Sequence, residues 1–237
     1  MKSLVIGAGE VGKAIFDTIK DFHESYIKDV EDLDLEGVEV LHICYPDSNR
    51  FISDTYSYIS KYKPKVTIIH SSIAIGTSQL LQCVYSPVRG RHPNLAPEIK
   101  VYKKFMGSKN TQELNLARKY FKECGIKTSL VNESKSLEFL KLISNIHMGL
   151  EIAWRQELEE MMKEMDINPK VYTRWEKSYQ TGYRKLKQYN LIRSIMRPDP
   201  IGGHCILPCT EIANKQFVSK AFEFILERNQ KTLDKSK

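Results

Sequence analysis

Three groups of residues carry the types and spacings that chemistry needs. The first is "GAGEVG", Gly7 to Gly12, a Gly-x-Gly-x-x-Gly set that follows the apolar run "SLVI" and opens the amphipathic stretch "KAIFDTIKDF". Between a strand and a helix, Gly7 permits the tight turn, Gly9 lets backbone approach a pyrophosphate, and Gly12 allows close helix–strand packing. With Glu10 and Val11 in the turn, the helix start offers unpaired N–H groups and the positive end of its dipole to an anion. Asp29 follows Gly7 by 22 positions at the end of a second short strand, "SYIKDV". Its carboxylate is placed to accept from ribose hydroxyls and, with Glu31 and Asp32, to repel a 2′-phosphate, which favours NAD over NADP. The plain alternative is a glycine-rich turn that binds nothing and a surface aspartate.

The second group is Glu138, Lys141 and Asn145, at i, i+3 and i+7 in a long segment free of proline, so that they share one helix face. A lysine and an amide within a strongly apolar stretch must be hydrogen-bonded or reach water. Such a lysine can accept a proton or stabilise a developing alkoxide. Spacing alone favours a surface stripe with a Glu138–Lys141 ion pair. The third group is "RPDPIGGHCILPC", residues 197–209. Cys205 stands just before a helix whose first turn suits Pro208, where the positive helix end stabilises a thiolate. Two cysteines and one histidine do not complete a metal site, and no metal is expected. Five cations and no acid occur between Arg184 and Arg197, and Arg89, Arg91 and His92 form a second basic cluster. Both suit a phosphate or carboxylate on a small molecule; a solvated basic loop is the alternative for the second.

The elements that must position these groups follow from periodicity. Apolar runs at 3–6, 25–30, 38–46 and about 65–72, 82–88, 102–108 and 127–132 read as strands, alternating with helices to about residue 124. The first helix keeps Ala14, Ile15, Ile19 and Phe22 at helical spacing. This is an α/β pattern, a Rossmann-like doubly wound parallel sheet, assigned to residues 1–132. Residues 133–237 read as a small all-helical domain with one long central helix, Ser134 to Met165, capped by Ser134 and apolar nearly all round at 137–153. Asn168-Pro169 opens a further helix, a basic loop follows, and a single closing helix spans 210–227 with a frayed tail from Lys231.

At 237 residues, with 41% hydrophobic and 27% charged residues, the chain reads as an ordinary water-soluble protein. No apolar run is long enough to span a membrane, and a strand beginning at Ser3 leaves no room for a signal peptide. Five scattered cysteines argue for a reducing compartment, so a cytoplasmic location is expected. The net charge of +7 comes with no nucleic-acid-binding motif, so neither nucleic acid nor membrane is an expected partner.

Several of these stretches occur in the order found in nucleotide-sugar dehydrogenases. "SLEFLKLISNIHMGLEIAWRQELEEMMKEMDI" resembles the central helix of UDP-glucose and UDP-N-acetylmannosamine dehydrogenases, where a Glu-x-x-Lys-x-x-x-Asn pattern contributes to the active site. "HICYP" resembles the strand that meets the nicotinamide end of the cofactor, implicating Tyr45 and Pro46. "HSSIAIGT" (70–77) resembles the family's Ser-Thr-Val-x-x-Gly-Thr segment, with Ser72 keeping the hydroxyl. "IGGHC" (201–205) resembles the segment with the catalytic cysteine, implicating Gly202, Gly203, His204 and Cys205. The resemblance runs to about residue 215 and implies the wider 6-phosphogluconate-dehydrogenase-like superfamily. It further implies a homodimer through the long helix, Glu138, Gly202, Gly203 and His204 at the substrate, and chemistry at Lys141, Asn145, Cys205 and Ser72; Arg89, Arg91 and His92 join the substrate contacts by residue type alone.

The departures bear on mechanism. The family's further C-terminal domain is not in this sequence, Val88 stands where the family has the glutamate that helps water attack a thioester, and Cys209 replaces its aspartate. Either His92 or His204 substitutes, or the reaction is the simpler two-electron oxidation of the related 3-hydroxyacid dehydrogenases, which also use a Lys/Asn pair. "RGRHPN" also resembles the His-Pro turn of prephenate dehydrogenases. The expectation is therefore an NAD-dependent oxidoreductase acting on the hydroxyl of a small anionic compound, sugar-derived or a nucleotide sugar. The alternative is a catalytically altered dinucleotide-binding protein of the same fold, serving as sensor, partner-binding or group-transfer protein.

Overall fold

The computed structural model describes residues 1–91 and 93–235. The chain divides into two compact units, Met1–Leu142 and Ile143–Lys237.

In the first unit, seven short strands form one sheet: β1 (Lys2–Ile6), β2 (Glu24–Lys28), β3 (Val40–Ile43), β4 (Val66–Ile69), β5 (Val84–Tyr85), β6 (Lys104–Gly107) and β7 (Thr128–Val131), in the order β2-β1-β3-β4-β5-β6-β7. All neighbours run parallel except β5 and β6, which meet antiparallel at Tyr85 and Gly107. Strands covered on both faces need apolar residues at nearly every position, and every residue of β3 and β4 is buried. The two faces separate with period two. Val5, Val40, Val66, Ile68 and Val84 join one apolar cluster, and Leu4, Ile6, Leu41, Ile43, Ile69 and Tyr85 the other. The first face is covered by α1 (Glu10–Ile19), α4 (Leu95–Val101) and α5 (Thr111–Glu123), the second by α2 (Phe51–Tyr62). Between β4 and β5 lies the one-turn helix α3 (Thr77–Leu80). The chain reverses its direction of travel between β1 and β3, which makes their carboxyl ends the crevice where such sheets take ligands.

The long helix α6 (Lys135–Glu164) begins in the first unit, with the Ser134 carbonyl accepting from the N–H groups of Leu137 and Glu138 at 3.0 Å. Leu137 packs into the second apolar cluster. In the second unit follow α7 (Pro169–Lys185), a 3₁₀ turn (Tyr189–Leu191), α8 (Ile206–Asn214) and α9 (Lys220–Lys235). Asn168 caps α7 by accepting from Lys170 N–H at 2.9 Å, and Pro169 takes the first position, where no donor is needed. Gly149 sets the packing distance: a Cβ there would stand 2.6 Å from Ile206 Cγ2. Arg228, only 6% exposed, closes the bundle through Glu157 at 2.8 Å, Glu160 at 2.5 Å and the Gln156 carbonyl at 3.1 Å. Among the described residues no helix is long and apolar enough to cross a membrane.

Several expectations need correction. Phe22 is 51% exposed, because α1 ends at Ile19 and the chain turns there, burying His23 instead. The single closing helix is two helices, α8 and α9, separated at residues 215–219, where Phe217 and Val218 are exposed and the Ser219 hydroxyl accepts from Ala221 N–H at 3.3 Å to start the second. The tail does not fray at Lys231: α9 continues to Lys235, whose ammonium pairs with Glu160. The all-round burial expected at 137–153 is one-sided, with Leu137, Leu142, Ile146 and Ala153 buried but Phe139, Leu140 and Met148 exposed. Sequence periodicity also passes over α3 and α4.

Candidate functional site

The turn after β1 is built by its glycines for different reasons. Gly7 has φ +100°, and a Cβ on it would meet Tyr45 N at 2.8 Å. Gly12 lies in α1, where a Cβ would stand 1.7 Å from the Gly7 carbonyl oxygen. Gly9, the N-cap of α1, has an ordinary φ of −72°, and a Cβ there meets nothing within 4 Å. Neither backbone strain nor packing demands glycine at Gly9, and its backbone is open to close approach. Gly9 and Glu10 are exposed and Val11 half-buried. The Gly7 N–H donates to the Lys28 carbonyl at 2.9 Å, which draws the end of β2, and so the exposed Asp29, beside the turn. Asp32 is paired with Lys61 at 2.5 Å. The turn, with the start of α1, can therefore hold a dinucleotide pyrophosphate, and Asp29 its ribose.

At the end of β3, Tyr45 is half-buried and Pro46 exposed. Tyr45 Oη lies 2.5 Å from Thr55 Oγ1, and its carbonyl accepts from the Ser71 hydroxyl at 2.5 Å. Burial raises the Tyr45 hydroxyl well above its usual range. Tyr85 Oη donates to the Ser71 carbonyl at 3.1 Å. These bonds hold the loop carrying Ser72, which is half-buried.

Glu138 is fully buried, and its carboxylate accepts three hydrogen bonds from the α3 turn. Gly76 N–H reaches Oε2 at 2.6 Å, and Ser78 N–H and Oγ reach Oε1 at 2.8 and 2.6 Å. Its side chain has no exposed surface, and it makes no ion pair with Lys141. Lys141 is half-buried and donates from Nζ to the Val88 carbonyl at 3.1 Å. Val88 itself is 4% exposed. Arg89 stacks its guanidinium over Tyr102 and Phe105, 5.3 and 5.8 Å from their centroids. Arg91 is exposed and its N–H donates to Glu98 Oε2 at 2.9 Å. His92 lies outside the described residues.

In the second unit, Asn145 donates from Nδ2 to Cys209 Sγ at 3.2 Å, and Cys209 is fully buried. Cys205 is the N-cap of α8, half-buried, and its carbonyl accepts from Cys209 N–H at 3.1 Å. Gly202, Gly203 and His204 are exposed, Gly203 with φ +81°. The preceding backbone is pinned from two helices: Ile201 N–H donates to Asn229 Oδ1 at 2.7 Å and Gln156 Nε2 donates to the Asp199 carbonyl at 2.9 Å. No group of three or more metal-ligating side chains gathers among the described residues.

Sequence reasoning passed over a buried polar chain behind the sheet's carboxyl ends. The Ser86 carbonyl can only accept, so the 2.6 Å contact assigns the proton of His70 to Nδ1. His70 Nε2 then accepts from His42 Nδ1 at 3.0 Å, and His42 Nε2 accepts from the Tyr120 hydroxyl at 3.2 Å. Lys104 Nζ donates to the same Ser86 carbonyl at 3.2 Å and lies 5.0 Å from the centroid of Phe121. Its 3.5 Å contact with His70 Nδ1 is not a hydrogen bond, since that nitrogen already donates. Burial holds His42 down at about 3 and His70 well below the usual histidine range, and lowers Lys104 to about 7. The signal in sequence was no more than polar residues within or beside each apolar run.

No protein-family model matches this chain, and no curated protein matches it in sequence. Solved structures do match in fold. The UDP-D-ManNAc dehydrogenase of Pyrococcus horikoshii aligns with a TM-score of 0.76 at 16% identity, covering 98% of this chain and 69% of that one. The UDP-N-acetyl-mannosamine dehydrogenase of Staphylococcus aureus gives 0.71 at 15%, covering 98% and 68%. The 3-hydroxyisobutyrate dehydrogenase of Mycobacterium tuberculosis gives 0.67 at 10%, covering 97% and 92%. The chain thus shares its fold with these UDP-sugar and hydroxyacid dehydrogenases, a Rossmann-like sheet followed by helices.

Proposed function

We propose that this chain is a cytoplasmic NAD-dependent dehydrogenase that oxidises the hydroxyl of a small anionic substrate, sugar-derived or a nucleotide sugar. The observation that carries this reading is Gly9, a glycine required by neither φ nor packing at the mouth of a strand–turn–helix. The dehydrogenases with this fold support it. NAD is favoured over NADP by Asp29 and Glu31, since Lys61 already neutralises Asp32.

A bound nicotinamide dinucleotide supplies the hydride acceptor. Lys141, held at the Val88 carbonyl, exchanges the proton of the substrate hydroxyl, and Asn145, one turn further along α6, orients the oxygen. Ser72 offers a further hydroxyl. Cys205 lies at the positive end of α8, while the buried apolar Val88 offers no base to activate water. That favours a two-electron oxidation over a thioester route. The cations between Arg184 and Arg197, with Arg89, Arg91 and His92, suit an anionic substrate. Phe139, Leu140 and Met148, exposed on α6, suit a homodimer through that helix. The five cysteines, all thiols, fit a reducing compartment.

One observation favours the alternative, a catalytically altered dinucleotide-binding protein: the Asn145 amide is engaged by Cys209 Sγ. Calorimetric titration with NAD and NADP, followed by a screen of hydroxy acids and UDP- or GDP-sugars for reduced cofactor, separates the two. Turnover that Lys141→Ala abolishes without loss of cofactor affinity supports the dehydrogenase. Tight NAD binding without turnover selects the alternative, and binding of neither nucleotide refutes both.

A further inference from the structure

Glu138 is a buried carboxylate to which no basic side chain among the described residues is bonded. An anion in such a place needs donors, and here all three come from one turn of another segment: the N–H groups of Gly76 and Ser78 and the Ser78 hydroxyl, at 2.6–2.8 Å. The turn cannot satisfy these donors by itself. Gly76 has φ +99° and its N–H, like that of Ser78, points out of the one-turn helix α3 toward the carboxylate. The same turn ends the loop that leaves β4 through Ser71 and Ser72. Three residues along α6 from Glu138, Lys141 reaches the Val88 carbonyl at 3.1 Å, in the segment that follows the neighbouring strand β5. The loop from β4 and the segment after β5 are thus both tied to the first turns of α6, one through each side chain.

We infer that Glu138 is a positioning residue, which clamps the Ser72 loop to the start of α6 and so fixes Ser72 and Lys141 relative to one another. The inference rests on the proposed dehydrogenase reading for its catalytic consequence, not for the clamp itself. The clamp demands a carboxylate in particular. A glutamine of the same size would keep one acceptor for Ser78 and turn an NH₂ group toward the Gly76 N–H, setting donor against donor.

The test uses Glu138→Gln in the full chain, with Ser78→Ala as a milder second variant that removes the hydroxyl bond and leaves both backbone donors in place. Hydrogen exchange is followed over residues 70–80, and turnover is measured on whichever substrate the screen finds. The glutamine variant is expected to raise exchange at Gly76 and Ser78 at least tenfold while the amides of β1 and β3 keep their protection, and Ser78→Ala to raise it less. Turnover should fall tenfold or more with KM for the dinucleotide within twofold, because the Gly7–Gly12 turn is a separate segment. Unchanged exchange at Gly76 and Ser78 would overturn the clamp, whether or not the wild type turns over any substrate. Faster exchange with kcat unaltered would overturn the positioning role. A wild type that binds dinucleotide and turns over nothing defeats the dehydrogenase reading separately, and the exchange result then decides the clamp by itself.

Discussion

Replacing Lys104 by methionine should stabilise the first unit at neutral pH and do nothing at high pH. A lysine ordinarily titrates near 10.5, and burial lowers Lys104 to about 7. The sign follows from proton counts. Between those values the unfolded chain holds a proton on this amine that the folded chain has released, so stability rises with pH through that window. Below about 7 both states are protonated and the full cost of a buried ammonium is felt. At ~1.4 kcal/mol per pH unit, that cost is roughly 4 kcal/mol at pH 7. Methionine keeps the apolar stem against Phe121 and gives up the bond to the Ser86 carbonyl, worth about 1 kcal/mol. That carbonyl stays satisfied by His70. The net gain is about 3 kcal/mol at pH 7, or roughly 6–12 °C in melting temperature for a chain of this size, shrinking to nothing or a slight loss near pH 10.5. Both tryptophans, Trp154 and Trp175, belong to the second unit, so their fluorescence would report the wrong half. Hydrogen exchange at the amides of β3 and β4, at pH 7 and pH 9 in urea, reads the right one. A variant no more stable than wild type at pH 7, or more stable by the same amount at both pH values, would refute the argument.

Three further outcomes follow from the same geometry. Gly9→Ala should leave stability within about 0.5 kcal/mol and weaken dinucleotide binding at least tenfold, whereas Gly12→Ala, with its Cβ 1.7 Å from the Gly7 oxygen, should destabilise by roughly 2 kcal/mol or more; calorimetric titration and urea unfolding distinguish them. His42 and His70 are held neutral by burial, so stability should be complete above pH 6.5 and fall as pH drops toward about 3, by up to ~1.4 kcal/mol per pH unit for each, measurable by urea unfolding across that range. Arg228→Ala should cost the second unit roughly 3 kcal/mol, because Glu157, Glu160 and the Gln156 carbonyl lose their common donor; tryptophan-monitored unfolding checks it.

What was legible in the sequence is whatever the chain encodes over a few residues. Runs such as "VTII" are strands because a sheet covered on both faces tolerates little else, and Asn168-Pro169 opens a helix because one residue caps and the next needs no donor. Residues whose role depends on a distant partner were not legible. Glu138 could be placed on the same helix face as Lys141, yet its spacing says nothing of Gly76 and Ser78, about 60 positions away, which take its charge. Nothing in the sequence joins His42, His70 and Lys104; the folded sheet brings His70 and Lys104 to one carbonyl and His42 to His70. The helical period also continued across 215–219, where the helix is interrupted between α8 and α9.

The glycine motif shows the limit most clearly. Three identical residues at fixed spacing invite one explanation, whereas the structure gives three different constraints. Gly7 is required by its positive φ and by Tyr45, and Gly12 by the backbone it touches; both would be needed by a fold that bound nothing. Gly9 alone is required by neither its φ nor its packing. A motif match therefore weighs more as evidence of binding when the glycine in question is one that the fold itself could have replaced, and that residue is where mutation separates a ligand site from a tight turn.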